Sequence, residues 1–276
     1  MQEIAVQTWP ELMEALYDIP KSSHGRHRSD FVYRGLAHKV WDLDTSLYRL
    51  GGDYQGIERP MLRSFRKYAE PGSIPSENFW VRLSVAQHYG LPTRLLDWTL
   101  SPRVAAHFAT AEEEYYDKDG VIWCIDVVRA RDLLPDLLHK KLKEEYAWLF
   151  SVEMLDFIPS IGEFDQLAKE GPFLLCFEPP SLDGRIVNQG AIFSVMPGAG
   201  LRLTDFLTNH QELYRRIIIP SHLKWEVRDK LDQDNVTERM LFPGLDGLSR
   251  WLKRYYGPGP KAGKALPAEQ IRKAGP

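Results

Sequence analysis

The sequence predicts a single α+β domain. Three apolar runs, at positions 121–128, 172–178 and 213–220, have the composition of buried strands. Helical segments with clear start signals lie around them, but strands and helices do not follow the regular βαβ order of a doubly wound sheet. No linker or internal repeat interrupts residues 1–256. We therefore expect one mixed domain rather than two.

Length and composition set broad bounds on function. A chain of 276 residues with 43% hydrophobic and 26% charged residues is typical of a soluble protein with a substantial core. The net charge of −3 provides no basic field for duplex DNA, so we expect no DNA-binding surface of that kind. Cys124 and Cys176 each lie in an apolar run, which favours two buried thiols in a reducing compartment.

Targeting signals are absent from the sequence pattern. The N-terminal residues lack a basic segment followed by an apolar one, and no uncharged apolar run reaches ~18 residues. We therefore expect a cytoplasmic protein without a membrane partner.

Local signals predict the helices of the first half. Thr8 and Glu11 have the spacing of a capping box, and residues 54–70 have helical character. A helix over 76–89 is expected to start at Ser76 as N-cap and to stop at Gly90. Ser101 followed by Pro102 predicts a further helix, which the sequence extends to the break at Gly120.

The second half is predicted in the same way. A helix is expected over 131–150, with Pro135 near its start, and Ser160 with Glu163 forms another capping box. Residues 184–195 are interpreted as a strand in which Gly190 marks a bulge. Ser221 is expected to start a helix through Leu231, and residues 242–256 a final amphipathic helix.

These elements suggest three regions. Residues 1–30 would form an N-terminal helix and a polar loop, 31–256 the main domain, and 257–276 a flexible tail with little apolar content. The polar loop contains His24 and His27, but no acidic or sulfur ligand lies at a useful spacing, so we expect a solvated loop and no metal.

Polar and aromatic residues are concentrated in 87–101, and an arginine follows the short strand 31–33. We expect these two stretches to form opposite walls of a small-molecule site, and the candidates are Tyr33, Arg34, Gly35, His88, Tyr89, Thr93, Arg94, Asp97, Trp98, Thr99 and Ser101.

The chemistry of these candidates favours an anionic, aromatic ligand. The planar fork of Arg34 suits a phosphate or carboxylate, and the helix start at Ser101 also favours an anion. Tyr89 and Trp98 offer stacking surfaces. A nucleotide or dinucleotide combines these features. No GxGxxG, P-loop, HExxH, GxSxG or CxxC pattern is present, so metal and nucleophile-triad mechanisms have no support.

Structural explanations compete with each functional one. Arg34 could be a surface ion-pair residue, and Asp97 could form a salt bridge with Arg94 that fixes the turn. Trp98 could belong to the core, and Ser101 could serve only as a helix cap. Their joint occurrence in one stretch is what favours a binding site.

Four blocks resemble the FRG domain family, which is named for a phenylalanine–arginine–glycine block. They read FVYRGLAHKVWDLDTSLYR, AQHYGLPTRLLDWTLSPRVAAHFA, NQGAIFSV and ERMLFPGLDGL, and together they extend from Phe31 to Leu248. The named block is Tyr33-Arg34-Gly35 here.

The same order of elements is similar, more distantly, to the arginine–serine–glutamate class of ADP-ribosyltransferases. That resemblance implies a mixed, mainly antiparallel split sheet flanked by helices, and NAD as the substrate. It places Arg34 on the NAD phosphates or ribose, Thr99 and Ser101 of the stretch 98–101 on the ribose, and Phe108 in the following helix. His88, Tyr89 and Trp98 would shape the nicotinamide pocket.

One element departs from the family pattern. The resemblance matches Gln189 to the first residue of the Gln-x-Glu motif and gives it the role of positioning the acceptor, but Ala191 stands where the carboxylate is expected. Asp97 and Glu238 are the candidate replacements, with Asp97 the first to test. An amide alone cannot supply the charge stabilisation of a carboxylate.

The leading hypothesis is therefore an NAD-binding enzyme that transfers ADP-ribose or hydrolyses NAD, acting as a toxin, defence effector or modifying factor without a metal. Its acceptor, protein or nucleic acid, is left open. The alternative is a non-catalytic nucleotide-sensing or protein-interaction module with the same pocket, which Ala191 favours. A nuclease would need a metal cluster or a basic groove, and the sequence shows neither.

Overall fold

The computed structural model describes residues 2–18 and 26–259. Eight strands form one sheet in the order β1-β8-β4-β2-β3-β7-β6-β5. The two outermost pairs, β1 with β8 and β5 with β6, are parallel, and the other five pairs are antiparallel. The predicted α+β sheet, mixed and mainly antiparallel, is confirmed. The strands are β1 (Gln2–Ala5), β2 (Phe31–Leu36), β3 (Leu96–Thr99), β4 (Gly120–Asp126), β5 (Phe150–Ser151), β6 (Leu175–Glu178), β7 (Ala191–Val195) and β8 (Tyr214–Ile219).

Helices pack on both faces of the sheet. The helices are α1 (Trp9–Tyr17), α2 (Ser46–Arg49), α3 (Tyr54–Tyr68), α4 (Phe79–His88), α5 (Pro102–Ala109), α6 (Val127–Arg131), α7 (Asp136–Glu144), α8 (Ile161–Asp165), α9 (Gly184–Gln189), α10 (Leu203–Asn209), α11 (Lys224–Gln233), α12 (Glu238–Leu241) and α13 (Leu245–Tyr255). Over the described residues, no helix is both long and apolar enough to cross a membrane.

The hydrophobic core is continuous on one face of the sheet and divided on the other. One cluster, which includes Val32, Trp98, Trp123 and Ile192, spans strands from both halves of the sheet. The opposite face carries two clusters: one packs α1, α5 and α11 on β4 and β8, and the other packs α4, α7 and α8 on β6 and β7. The division between these two clusters falls at the junction of β2 and β3.

That junction is narrow. β2 pairs with β4 along six residues, but it pairs with β3 only through Tyr33 and Thr99. Beyond this pair the two strands separate, and they leave a gap in the middle of the sheet. The sheet is therefore split into two four-stranded halves, which pair with each other, among the residues that the structure describes, only at Tyr33 and Thr99.

Most predicted helix starts and strands are confirmed. The side chain of Thr8 caps α1, that of Ser101 caps α5, and that of Ser160 caps α8. The apolar strands β4, β6 and β8 lie within the runs that predicted them. Both cysteines are buried free thiols, and desolvation raises the pKa of each to about 12.

The interpretation of residues 184–195 as one bulged strand is wrong. The Asp183 side chain accepts hydrogen bonds from the amides of Arg185 and Ile186 and so starts α9. Gly190 ends α9 in the left-handed conformation, with a φ of 54°, and β7 begins at the next residue. The cap and the terminal glycine outweigh the apolar pattern, because together they satisfy the free amides and carbonyls of a short helix.

Other boundaries also differ from prediction. The helix expected over 131–150 is shorter: α7 begins after its cap Pro135 and ends at Glu144, while Arg131 is the last residue of α6. The helix after Ser101 ends at Ala109, well before Gly120. Asn78, not Ser76, caps α4.

Some strands and strand bounds were not predicted from the sequence. The sequence pattern missed β1, which joins the N-terminal residues to the sheet beside β8, and it missed β3. Arg34 lies inside β2 rather than at its end. His24 and residues 260–276 of the predicted tail lie outside the described residues.

Gly35 allows α5 to pack directly against β2. A Cβ atom built at Gly35 would lie 1.9 Å from the carbonyl oxygen of Ala105 and 2.5 Å from the amide nitrogen of Ala109. Both atoms are backbone, so a side chain could be accommodated only if the helix moved. The glycine of the Tyr-Arg-Gly block is therefore explained by helix packing.

We expect Gly35→Ala to lower the free energy of unfolding by about 3 kcal/mol, at the upper end of overpacking effects. Urea denaturation would measure this. Gly184→Ala is the matched control, because its Cβ meets only Pro243 Cγ at 3.4 Å, an ordinary contact. Equal stability of the two variants would show that the close approach of α5 has no energetic consequence.

Candidate functional site

The candidate site lies in the gap between β2 and β3. The guanidinium of Arg34 reaches across it and donates a hydrogen bond to the main-chain oxygen of Asp97 at 2.5 Å. The Asp97 carboxylate is 3.9 Å from the same nitrogen. Nε of Arg34 is buried and has no hydrogen-bond partner among the described residues. Arg34 therefore retains an unused donor at the gap.

Two cavities adjoin this arginine. The first has a volume of about 320 Å³, within the range typical of small-molecule sites. The second has a volume of about 210 Å³ and shares Arg34, Arg49 and Asp97 with the first. The first, called the main cavity below, is lined by Tyr33, Arg34, Gly35, Leu36, Ala37, Trp41, Arg49, Asp97, Trp98, Thr99, Phe108, Glu112, Arg185, Gln189 and Ala191.

Three arginines give the main cavity a positive potential. Arg34 comes from β2, Arg49 from the end of α2 and Arg185 from the start of α9. Desolvation lowers the pKa of Arg34, the charge of Asp97 opposes that shift, and the charge of Arg49 adds to it. Arginine stays protonated in proteins, so a bound anion would relieve this unfavourable burial of charge.

Carboxylates at the cavity come from two elements. Asp97 is 58% exposed and accepts a hydrogen bond from Gln87 at 2.8 Å. Glu112 lies at the opposite wall, just after α5. Partial burial raises the pKa of Glu112, and the neighbouring charge of Glu114 adds to that effect. The main cavity therefore contains a carboxyl group that does not depend on position 191.

The β3 end of the site is fixed by main-chain contacts. Oγ1 of Thr99 donates to the carbonyl oxygen of Gln189 at 2.5 Å and accepts from the amide of Ser101 at 3.0 Å. Nε2 of Gln189 donates to the carbonyl oxygen of Leu241 at 3.0 Å. These bonds hold the end of α9 against the end of β3, so the Gln189 amide nitrogen is already engaged within the protein.

His88 acts on the site through α9. Its Nε2 lies 2.9 Å from the Asp183 carboxylate, which also caps α9. His88 does not line the main cavity. It anchors the helix that carries Arg185 and Gln189, rather than shaping a nicotinamide pocket directly.

Several predicted residues lie away from the main cavity. Arg94 is buried and pairs with Glu58 and with Asp165, the latter at 2.5 Å, so the expected salt bridge between Arg94 and Asp97 is wrong. Thr93 is buried and donates to Gln87 at 2.5 Å. Ser101 caps α5 through its side chain, and Tyr89 is 73% exposed, outside the lining.

The two large aromatic residues of the motifs belong to the core. Trp98 is 3% exposed, and its indole nitrogen donates to Oγ of Ser194 at 2.8 Å. The ring of Tyr33 is fully buried on the α5 side, and its hydroxyl is 2.7 Å from Oγ of Ser29. Both residues contribute to the cavity lining, but neither ring is free to stack on a ligand.

Sequence reasoning missed Trp41, Arg49, Glu112 and Arg185. The first two lie in the block 31–49 that carries the family resemblance, so their place in that block is the sequence feature that points to them. Trp41 packs edge-on against Tyr115, with ring centroids 4.8 Å apart. Arg185 lies over the ring of Phe242, 5.2 Å from its centroid. No spacing rule links these positions, because each comes from a different element.

Lys224 holds the wall that carries Trp41 and Glu112. It is fully buried in α11, and its ammonium donates to the carbonyl oxygens of Ala37 and Tyr115 at 2.6 and 2.7 Å. Desolvation lowers its pKa to about 8. The two loops on this side of the cavity are thereby tied to one buried cation.

Glu238, the second candidate acid, belongs to a buried ion network behind α5. Its carboxylate accepts hydrogen bonds from Arg228 at 2.7 Å and from Arg254 at 2.7 and 2.9 Å. It does not line the main cavity. Arg228 also donates to Nδ1 of His107 at 2.7 Å. An arginine can only donate, so His107 is neutral with Nδ1 as the acceptor.

His107 makes stability sensitive to acid. Desolvation, followed by the charge of Arg228, lowers its pKa from 6.5 to about 3. Between these values the unfolded chain binds a proton that the folded chain does not, so stability falls as the pH drops below 6.5. From pH 7 to 5.5 we expect His107 to contribute a loss of about 1 kcal/mol in the free energy of unfolding.

Urea denaturation at the two pH values would measure the total loss, and nitrogen NMR of the imidazole would assign His107's share. Signals of a neutral His107 should persist at pH 5.5. Protonation of this ring above pH 5 in the folded protein would contradict the prediction.

Other features of the surface fit a ligand site less well. A larger cavity of about 720 Å³ lies between α7, α8 and the segment before β6, but no arginine lines it. In the described parts of the chain, no group of three or more His, Cys, Asp or Glu side chains is placed to hold a metal ion.

The fold and the cleft define an α+β protein with an arginine-lined cavity at the split of its sheet. Residues 29–118 match the model of the FRG domain family. The range contains Arg34, Arg49, Asp97 and Glu112, and it ends before α9 and β7. It is shorter than the 31–248 covered by the resemblance. No curated protein and no solved structure matches the chain.

Proposed function

We propose that the protein binds NAD in the main cavity and breaks its nicotinamide–ribose bond, with transfer of ADP-ribose to an acceptor or to water. The observation that carries this proposal is the convergence of Arg34, Arg49 and Arg185 on one cavity. Arg49 and Arg185 form no ion pair with a described carboxylate. Forked arginine donors at close range favour a pyrophosphate over a single carboxylate.

The remaining lining suits the other parts of a dinucleotide. Trp41 and Phe108 supply aromatic surface for a base or a nicotinamide ring. The side-chain oxygens of Thr99 and Gln189 can accept hydrogen bonds at the β3 end, where a ribose would lie. The α5 start capped by Ser101 supports this wall through Thr99, which ties both segments together.

Glu112 is assigned the electrostatic role that Ala191 cannot fill. As the bond between nicotinamide and ribose breaks, nicotinamide leaves with the electron pair and the ribose carbon becomes cationic. A carboxylate beside that carbon stabilises the developing charge, and it can take the proton of the attacking hydroxyl. Asp97 is the less suitable group, because its carboxylate already accepts a hydrogen bond from Gln87 and lies 3.9 Å from the guanidinium of Arg34.

A second candidate function is a nucleotide-sensing module that binds NAD without turnover. Two observations favour it: Ala191 replaces the expected carboxylate, and the amide nitrogen of Gln189 is engaged with the carbonyl of Leu241. A sensing module would use the same arginines and would not need Glu112.

The experiment is to incubate the protein with NAD and to follow nicotinamide release, the mass of added acceptors and NAD binding by calorimetry. Release of nicotinamide supports the enzyme. Binding without release supports the sensing module. Neither binding nor release contradicts both.

We expect Glu112→Gln to reduce nicotinamide release by about 100-fold while the Kd for NAD changes less than about threefold, because charge stabilisation is lost mainly in the transition state. Glu113→Gln is the matched control, because Glu113 is exposed, adjacent in sequence and absent from the cavity lining. Unchanged release in Glu112→Gln would remove this residue from the mechanism.

A further inference from the structure

A second, separate cavity lies between α3, α4 and the start of α8. Its volume is about 330 Å³. Four arginines surround it: Arg59, Arg63 and Arg66 from α3, and Arg82 from α4. Positions 59, 63 and 66 are separated by four and three residues, so their side chains follow one face of α3. None of these residues lines the Arg34 cleft.

Only two of the four arginines around this cavity pair with a described carboxylate. Glu77 pairs with both Arg66 and Arg82, at 2.6 and 3.2 Å, and is itself 82% exposed. The side chains of Arg59 and Arg63 form no ion pair or hydrogen bond with another described residue. No carboxylate is among the residues that line the cavity in the described part of the chain. Two guanidinium groups are therefore available to an anion.

The backbone at Gly162 leaves room for the guanidinium group of Arg59. A Cβ built at Gly162 would lie 2.6 Å from a terminal nitrogen of Arg59. The absence of a side chain at Gly162 thus lets the guanidinium lie against the start of α8, at the edge of the cavity.

The floor of the cavity is apolar. Leu62, Phe65, Ile74 and Phe79 line it, and all four are only partly buried where they pack on the core cluster beneath α4. The site therefore combines an incompletely covered apolar floor with a rim of cations. A phosphate alone would leave the floor exposed to water, and an uncharged apolar molecule would leave the arginines unpaired.

We propose that this cavity binds a small amphiphilic anion, a molecule with an apolar chain and a phosphate or carboxylate head. The chain covers Leu62, Phe65, Ile74 and Phe79, and the head is held by Arg59 and Arg63. The cavity volume lies at the lower end of the range for small-molecule sites, which favours a single chain. The site is independent of the proposed NAD chemistry.

The test is calorimetric titration of the whole protein with decyl phosphate below its micelle concentration. Decyltrimethylammonium and inorganic phosphate serve as the comparison ligands, since they isolate the chain and the head. We expect saturable, one-to-one binding of decyl phosphate, and binding at least about tenfold weaker for each comparison ligand.

The variant Arg59→Gln with Arg63→Gln should weaken decyl phosphate binding at least about tenfold, because charge-assisted hydrogen bonds to the head are lost. Both residues are exposed, so the fold should be retained. The control is Lys140→Gln with Lys143→Gln, which removes two exposed charges from α7. Equal affinity in the two double variants, equal affinity for the cationic amphiphile, or no saturable binding would overturn the proposal.

Sedimentation with phosphatidylcholine vesicles, with and without phosphatidylglycerol, identifies the source of the anion. Binding to the anionic vesicles that depends on Arg59 and Arg63 indicates a lipid headgroup. Arginine-dependent binding of decyl phosphate without vesicle binding indicates a soluble metabolite.

Discussion

Replacing Arg34 by alanine is expected to weaken NAD binding by about 100-fold, or ~3 kcal/mol, since truncation of a buried charged donor typically costs this much. Arg34 bridges the gap between β2 and β3, and its Nε has no partner within the described structure. A phosphate oxygen at that nitrogen would complete its hydrogen bonding. Arg34→Lys should give an intermediate loss, because lysine retains the charge but not the planar fork.

Calorimetry would measure the Kd, with circular dichroism to verify the fold of each variant. Arg129→Ala is the matched control, because that side chain is 61% exposed, lies on α6 and is absent from the cavity lining. Its Kd for NAD should equal that of the unmodified protein. If Arg34→Ala binds NAD as tightly as Arg129→Ala, the main cavity is not the NAD site.

The largest stability effect is expected from Glu238→Gln, with a loss of about 3–5 kcal/mol in the free energy of unfolding. Glu238 lies between two buried guanidinium groups, those of Arg228 and Arg254. Arg254 also pairs with Asp232, but among the described residues Arg228 has only His107 as its other side-chain partner. The neutral amide therefore leaves Arg228 as a buried cation without a counter-charge.

The contribution of Glu238 to the free energy of unfolding is expected to fall at low pH. Desolvation raises the pKa of Glu238, but the hydrogen bond from Arg254 and the charges of Arg228 and Arg254 outweigh it and hold the pKa at about 2. The carboxylate therefore contributes its stabilisation above its unfolded pKa near 4.5, and this contribution is lost as the pH falls towards 2.

Urea denaturation at pH 7 would compare Glu238→Gln with Glu226→Gln, a control in which an exposed carboxylate of the nearby helix α11 is changed. A small effect is expected for the control, within about 0.5 kcal/mol. Similar stabilities for the two variants would mean that the buried network contributes nothing beyond a surface charge.

Sequence patterns predicted elements well where a local cap or an apolar run decides the conformation. Thr8, Ser101 and Ser160 cap their helices as expected, because each cap depends on residues three positions apart. Between Asp183 and Gly190 the apolar pattern predicts part of a strand, whereas the cap and the terminal glycine form α9. β1 and β3 are four residues long and depend on pairing with distant strands, so their own sequences carry little signal.

The candidate site shows the same limit. Arg34, Thr99, Gln189, Asp97 and Phe108 were predicted together and do line one cavity. Arg94 was predicted to lie in the same site as Arg34, but it pairs with Glu58 and Asp165 instead. Which arginine meets a cavity and which meets a buried carboxylate depends on partners 36 and 71 residues away, which no local pattern reveals.

By itself, the sequence determined the fold class, the FRG-like blocks, the buried thiols and the Arg34 wall of the cleft. The fold class and the buried thiols follow from composition, periodicity and caps, which act between residues close together in the chain. The FRG-like blocks are recognised by resemblance, and the Arg34 wall by the polar residues concentrated in those blocks. Only the tertiary structure decided that β2 and β3 meet at a single residue pair and that Arg49, Arg185 and Glu112 converge there. The physical reason is that long-range strand pairing and helix packing position these side chains. Arginines and carboxylates from distant parts of the sequence become neighbours only after the chain has folded.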